Sequence, residues 1–424
     1  MRVLMQSRVT LFTGPGGDTT QICCTAEALR KLGVHCEIST ELEPDLSEWD
    51  IVHLFNLVRP QEVYLQARNA VRQGKPVVLS TIYLSGLDFD RSARGGVIGF
   101  LSRLLPANLF ESVKVVARGI LNSEWHAGSR TLIWHGYRRL QEDILRMTSI
   151  CLPNSRSEWQ RVVRDFPLAS AVPSAVVPNA VDLATFGNRG NASRQPSCGE
   201  PKVVLCASNI GPRKNQLRLI RAMKGLDIPL WIVGQPSPNA WGYYRRMQTE
   251  SGLNVRFIGH VPHEELPPYY RAAKVHVLAS WMETTGLCSL EAALCGCNLV
   301  ITEKGDTREY FEDMAWYCDP ASEESIREAI LQAYHAPVSP ALETKIRSEY
   351  TWERAAEVTL EAYCRAVDGH SGTNHTIANS NEAQGADHEY QIDPDGVPVE
   401  DRAGRAFSAI PHDGLRKHRT GGGA

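Results

Sequence analysis

Residues 274–296 read KVHVLASWMETTGLCSLEAALCG, and the reading of this stretch decides the fold. Its first six residues are a short apolar run, the pattern of a strand buried on both faces. Thr284 or Thr285 can then cap a helix that ends near Gly296. Strand, polar loop and helix make half of a βαβ unit, and the same alternation recurs on either side. Residues 202–206, 229–233, 254–258, 298–302 and 315–318 read as further strands, with helical patterns between them. Before them, 186–201 is rich in Gly, Asn, Ser, Arg and Pro and almost without apolar residues, which marks a linker. Earlier still the alternation starts afresh, with strands at 1–5, 34–38, 51–55, 76–81, 149–152 and 175–178 and helical patterns at 19–32, 61–73 and 134–147. Such alternation implies parallel sheets with helices on both faces. The expected architecture is α/β, two doubly wound domains facing across a cleft. Residues 1–183 make the first domain, 184–200 the linker and 201–345 the second domain; a C-terminal helix follows at 346–368. Residues 369–424 are polar and bury too little apolar surface to offset the entropy of ordering, so a disordered tail is expected.

Composition agrees with a globular chain: 424 residues, 43% hydrophobic, 22% charged, formal net charge −3. That balance excludes a strongly basic nucleic-acid binder. No run approaches the roughly 18 apolar residues of a membrane span. The start, MRVLMQSRVTLFTGPGG, reads as strand and loop rather than a signal peptide. None of the eleven cysteines forms a C-x-x-C pair, and Cys295-Gly-Cys297 is not a zinc spacing, so no metal site is expected. Cys206, Cys288, Cys295 and Cys318 sit among apolar residues, as buried free thiols in a reducing cytoplasm would.

Open parallel sheets bind ligands at the carboxyl ends of their strands, so the chemistry is expected on strand-to-helix loops. Glu283-Thr-Thr-Gly-Leu-Cys-Ser-Leu-Glu291 is one such loop and helix start. The first amides of that helix, at Gly286 and Leu287, would be unpaired donors at a positive dipole end and suit a diphosphate. Glu283 and Glu291 would stand about 9 Å apart at ~1.5 Å per residue, enough to grip a sugar at one end of a diphosphate and a ribose at the other. The plain alternative is a capped helix with two solvated glutamates. Ala207-Ser-Asn209-Ile-Gly-Pro-Arg213-Lys214-Asn-Gln216 follows the first strand of the second half. Cations at a helix start are poorly placed unless an anion binds there, so Arg213 and Lys214 are read as neutralising a leaving diphosphate. The alternative is a solvated basic turn. Thr13-Gly-Pro-Gly16-Gly17-Asp-Thr19 follows the first strand and nearly makes a dinucleotide fingerprint, but Thr19 stands where the third glycine belongs, which weakens a dehydrogenase reading. A tight turn that needs glycine dihedrals is the other account of Gly16 and Gly17.

On these motifs the chain resembles the family 4 retaining glycosyltransferases, which have the GT-B fold of two facing Rossmann-like domains. The resemblance implies that Glu283 contacts the donor sugar and Glu291 the nucleotide ribose. It implies that Thr285, Gly286, Leu287 and Asn209 line the donor site, that Gly16 and Gly17 touch the donor phosphate or the acceptor, and that His260 and Val261, in Phe257-Ile-Gly-His-Val261, lie where the base binds. Thr285 departs from the aromatic residue the family has before its glycine. Lys214 matches the family lysine, with Arg213 standing in for an arginine found a few residues earlier. Val177-Pro-Asn-Ala-Val-Asp182, Leu152-Pro-Asn-Ser155 with Glu158, and Gly305-Asp-Thr-Arg-Glu309 are weaker matches, and together the matches run in family order from about residue 9 to residue 365. Ser155 with Glu158 is also a plain helix cap and its N3 partner. Tyr83 occupies the place of an acceptor-side histidine common in the family, and His126 is nearby in sequence. The C-terminal helix is expected to cross back to the first domain.

The implied reaction moves a sugar from a UDP- or GDP-sugar to a carbohydrate or lipid-linked acceptor hydroxyl, with retention and without an obligatory metal or cofactor. Polysaccharide or glycolipid biosynthesis is the implied setting. Residues 91–120 mix arginines with Val97, Ile98, Phe100, Leu101, Leu104 and Leu105. They read either as a solvated helix face or as a peripheral contact with anionic lipid on the inner face of the cell membrane. A nucleotide-sugar epimerase or a non-catalytic nucleotide-binding protein on the same architecture is the alternative, because fold alone does not separate them.

Overall fold

The computed structural model describes residues 1–84, 104, 109–113, 127–187 and 202–383. The first half runs β1 (Arg2–Gln6), α1 (Gly17–Lys31), β2 (His35–Ser39), β3 (Ile51–Phe55), α2 (Pro60–Arg72), β4 (Val77–Ser80), α3 (Ala127–His135), α4 (Tyr137–Met147), β5 (Ile150–Cys151), α5 (Arg156–Asp165) and the one-turn α6 (Leu183–Phe186). The second runs β6 (Val203–Ala207), α7 (Gln216–Ala222), β7 (Leu230–Val233), α8 (Trp241–Glu250), β8 (Val255–Gly259), α9 (Pro267–Ala272), β9 (Ala273–Leu278), α10 (Leu287–Leu294), β10 (Asn298–Thr302), α11 (Thr307–Phe311), β11 (Trp316–Cys318), α12 (Glu323–His335) and α13 (Pro340–Glu349); α14 (Trp352–Ala383) follows. Both sheets are parallel throughout and lie in one compact unit, Met1–Asn379. Their orders are β2-β1-β3-β4-β5 and β11-β10-β9-β6-β7-β8.

The central strands of each sheet, such as β3, β6 and β10, are buried at every position, whereas the edge strands β2 and β8 are partly exposed. Val52 and Leu54 pack with Val63 and Tyr64 of α2; Val3, Met5, Ile51 and Phe55 point the other way, to Ile22, Ala26 and Leu29 of α1. That second face is completed from far along the chain, by Trp352, Ala356 and Tyr363 of α14. His53, wholly buried in β3, has Nδ1 2.7 Å from the Tyr363 hydroxyl and Nε2 2.9 Å from Ser80 Oγ. Burial pushes its imidazole down to about 3, so it is neutral and both ring nitrogens are satisfied. The ten cysteines among the described residues are all free, with Cys364 exposed on α14. No helix among the described residues is long and apolar enough to cross a membrane.

Four local expectations are corrected. Residues 175–178 are not a strand: only the bridge Cys151–Ser174 forms, because Pro173 and Pro178 interrupt the ladder on either side. The helix expected at 134–147 is two helices, parted at Gly136, whose φ of +82° ends the helical path. The helix after Glu283 starts at Leu287 with Gly286 as its N-cap; neither Thr284 nor Thr285 caps it. The tail expected from 369 is helical through Ala383, since extending a helix that is already packed is easy and no proline intervenes. Residues 188–201, most of the expected linker, and 384–424 lie outside the described residues.

Candidate active site

The strand orders locate the site before any side chain is considered. In the second sheet the order reverses between β6 and β9, and ligands bind outside the carboxyl ends of strands at such a switch point. The two loops there are 208–215 and 279–286, which carry Arg213, Lys214 and Glu283. In the first sheet the reversal falls between β1 and β3, at the loop holding Gly16 and Gly17.

The two second-sheet loops are pinned together by Asn215. It takes the left-handed conformation at φ +63° that asparagine tolerates, and its amide donates to Ala279 O (3.0 Å) and Pro320 O (2.9 Å). Trp281 N donates to Arg213 O at 3.0 Å. The result sets Lys214 Nζ 2.5 Å from Glu283 Oε1, across 69 residues of chain. Burial alone would raise the Glu283 carboxyl, but Lys214 and then Arg213 outweigh it and hold it below the usual range. Arg213 itself is exposed.

Glu283 is not on the helix, so the rise of a helix does not set its distance from Glu291. Its backbone crosses the loop after β10 instead: Glu283 N donates to Lys304 O, and Asp306 N donates to Glu283 O, both at 3.0 Å. The crossing requires Gly305, at φ +109°, where a Cβ would stand 1.8 Å from Glu283 O. Gly286 is required in the same sense. Its φ is +73° and a Cβ would meet Leu278 at 3.0 Å. The first amides of α10 then have no intrahelical acceptor. Leu287 packs against the core of the first domain, and a Cβ on Gly17 would lie 3.9 Å from its Cδ1. Gly16 and Gly17 are not in the left-handed region, and Gly16 is extended at φ −150°, so a tight turn that needs glycine dihedrals does not account for them.

Glu291 is buried and doubly held. His263 Nε2 lies 2.7 Å from one carboxylate oxygen and the Tyr270 hydroxyl donates to the other at 2.9 Å. The bond to Glu291 raises the His263 imidazole above its ordinary value despite desolvation. Phe186 stacks edge-on against both rings. Neither His263 nor Tyr270 stood out in the sequence, since contacts 28 and 21 residues apart in a turn and a short helix carry no periodic signal. Thr285 is buried and accepts from Asn179 Nδ2 at 3.1 Å, so its hydroxyl ties the site to the inter-domain segment.

The remaining candidates divide. Asn209 and His260 are exposed at the ends of β6 and β8; Val261 is partly buried against the second-domain core. Tyr83 is buried in the first-domain core, its hydroxyl donating to Asp165 (2.9 Å) and its ring against Phe166. The preceding Ile82 has φ +40°, rare for a β-branched residue. His126 lies outside the described residues, as does the 91–120 segment apart from residues 104 and 109–113.

Comparison with known proteins bears on this geometry. Residues 190–349 match the family Glycosyl transferases group 1. The group 1 match covers the switch-point loops, α10 and the Asp306 loop. A D-inositol 3-phosphate glycosyltransferase of Pseudarthrobacter chlorophenolicus is 30% identical over 231 residues, 46% of this chain and 51% of that protein. The chain thus spans about half the length of this relative and of a second, from Geodermatophilus obscurus, of which it covers 55%. Among solved structures, sucrose-phosphate synthase from Thermosynechococcus elongatus aligns with a TM-score of 0.66 at 16% identity, covering 87% of this chain and all of that one. Anabaena HepE in complex with UDP-glucose aligns at 0.55 and 15% identity, covering 91% and 100%. The fold is of the GT-B kind that the sequence leads one to expect.

Proposed function

We propose that this chain is a retaining, family 4 type glycosyltransferase that moves a sugar from a nucleotide diphosphate donor to an acceptor hydroxyl. The observation that carries the reading is the Lys214–Glu283 pair beside the open amides of α10 at a topological switch point. Buried charge is costly unless it is paired, and such pairs cluster where chemistry needs them. In this reading Arg213, Lys214 and the α10 amides stabilise charge on the departing diphosphate. Glu283 contacts the donor sugar, Glu291 takes the ribose hydroxyls, and a donor phosphate oxygen accepts the acceptor's proton. The Anabaena protein with UDP-glucose makes UDP the first base to test, with GDP second. The inositol-phosphate relatives make a phosphorylated cyclitol the first acceptor to try, within polysaccharide or glycolipid synthesis on the cytoplasmic side of a membrane. An epimerase would need no acceptor, and a binding protein would take nucleotide without turnover.

Calorimetric titration with UDP, GDP and ADP, paired with donor turnover with and without acceptor, tests the reading. One nucleotide should be preferred, and Glu283→Ala should abolish turnover while preserving that binding. Full turnover by Glu283→Ala, or no affinity for any of the three, would overturn the assignment.

A further inference from the structure

The loop that crosses Glu283 also grips the other domain. Asp306, its side chain wholly buried, receives a bidentate pair from Arg161 of α5: Nη1 to Oδ1, and Nη2 to Oδ2 at 2.9 Å. Three residues on, Glu309 caps the same first-domain helix. Its oxygens accept from Arg156 N (2.8 Å), Ser157 N (2.9 Å) and Ser157 Oγ (2.8 Å), placing an anion at the positive end of α5. Tyr310, also buried, donates to Asn154 O at 2.7 Å and accepts from Asn179 N at 3.0 Å. The side chains of Asp306, Glu309 and Tyr310 thus contact the first domain, while the backbone of 304–306 holds Glu283 by two hydrogen bonds.

We propose that Arg161 is a positioning residue for Glu283, acting through Asp306, so that seating of the first domain sets the place of the carboxylate that faces the donor. This rests on the function proposed above, but the coupling has its own physical basis. With Arg161 removed, Asp306 is a buried charge without a partner, and such a group is strongly destabilising where it stands. It reaches water only if the loop moves. Because Gly305 leaves no slack against Glu283 O, movement of Asp306 carries Glu283 with it. Opening of the domains has the same consequence: it breaks the Arg161 pair and the Glu309 cap together, and releases Glu283 from its register with Lys214. The donor carboxylate is therefore in place only when the acceptor domain is seated.

The test compares Arg161→Gln, Arg161→Lys and Asp306→Asn by peptide-level hydrogen exchange and by kinetics. In Arg161→Gln, peptides spanning 281–286 and 304–310 should exchange at least tenfold faster, while α12, in the same domain but away from the loop, is unchanged. Turnover should fall at least tenfold, with UDP affinity within threefold of wild type, because Glu291 and the α10 amides belong to the second domain alone. Arg161→Lys, which keeps the charge, should recover most of both signals. Unchanged exchange at 281–286 in Arg161→Gln and Asp306→Asn would overturn the coupling, and so would equal losses of turnover and UDP affinity. If Arg161→Gln does not fold, Asp306→Asn, which breaks the pair between the domains without leaving a buried carboxylate, carries the comparison: faster exchange at 281–286 supports the coupling and unchanged exchange overturns it. A wild-type protein that transfers sugar from no donor would refute the proposed function alone, since the exchange comparison still decides the coupling.

Discussion

Gly305→Ala is the sharpest probe of this site, because the structure sets its size. The added Cβ would stand 1.8 Å from Glu283 O, 2.8 Å from the carbonyl carbon and 3.1 Å from the amide nitrogen. An ordinary C···O contact is about 3.3 Å, so one backbone must withdraw by roughly 1.5 Å. The residue would also hold φ near +109°, a strain on the order of 1–3 kcal/mol for anything but glycine. In a domain of this size that strain lowers Tm by about 2–12 °C. The displaced partner is Glu283, and a misplacement of ~1 Å at a reacting centre costs about 100-fold in rate. Turnover followed by release of nucleotide diphosphate, measured well below the melting temperature, should therefore fall by about 100-fold, with UDP still bound. Gly305→Ala with turnover within threefold of wild type and an unshifted melt would refute the argument that this crossing holds Glu283.

Three further outcomes follow from other contacts. Glu291→Gln should weaken UDP binding about tenfold by calorimetry with little change in Tm; equal affinity would remove Glu291 from the ribose site. His263 has its imidazole raised in the folded state, so its contribution to stability is complete below its ordinary value near 6.5 and fades as pH rises through the folded value. The melting difference between wild type and His263→Gln should accordingly be larger at pH 6 than at pH 8.5, and a difference that grows with pH would contradict the Glu291 contact. Tyr363→Phe leaves a buried ring nitrogen of His53 without its partner, a cost of about 1–3 kcal/mol, readable as a lower urea midpoint. An unchanged midpoint would show that α14 does not depend on that bond.

What could be read without coordinates was whatever repeats or punctuates. Apolar runs such as 51–55 and 298–302 became strands with those bounds, and the stretch after Glu283 was legible as a loop and helix start, although its N-cap is Gly286 rather than Thr284 or Thr285. A loop after each strand is a local signal, so Arg213, Lys214 and Glu283 could be named individually. Their pairing is not local: Lys214 meets Glu283 only because β6 and β9 are neighbours, which strand order decides. The same holds for Arg161 and Asp306, 145 residues apart, and for His53 and Tyr363, 310 apart. The position of Tyr83 after β4 says nothing about which way its ring turns; Asp165 and Phe166 decide that. Gly136 was overlooked inside a continuous helical pattern, since a glycine within a helix and one that parts two helices look alike in sequence.

The free thiols have a practical consequence. A thiol reacts as its thiolate, and each unit by which burial raises it reduces that fraction tenfold. Cys36 and Cys206 are pushed up to about 11, and Cys24, Cys295 and Cys318 to about 12; Cys23, Cys151, Cys288 and Cys297 move the same way. Cys364 alone among the described cysteines is exposed. Among the described cysteines, a maleimide dye at neutral pH will therefore attach there first. Because Cys364 adjoins the Tyr363 ring buried against β3, that dye would signal detachment of the C-terminal helix in native protein.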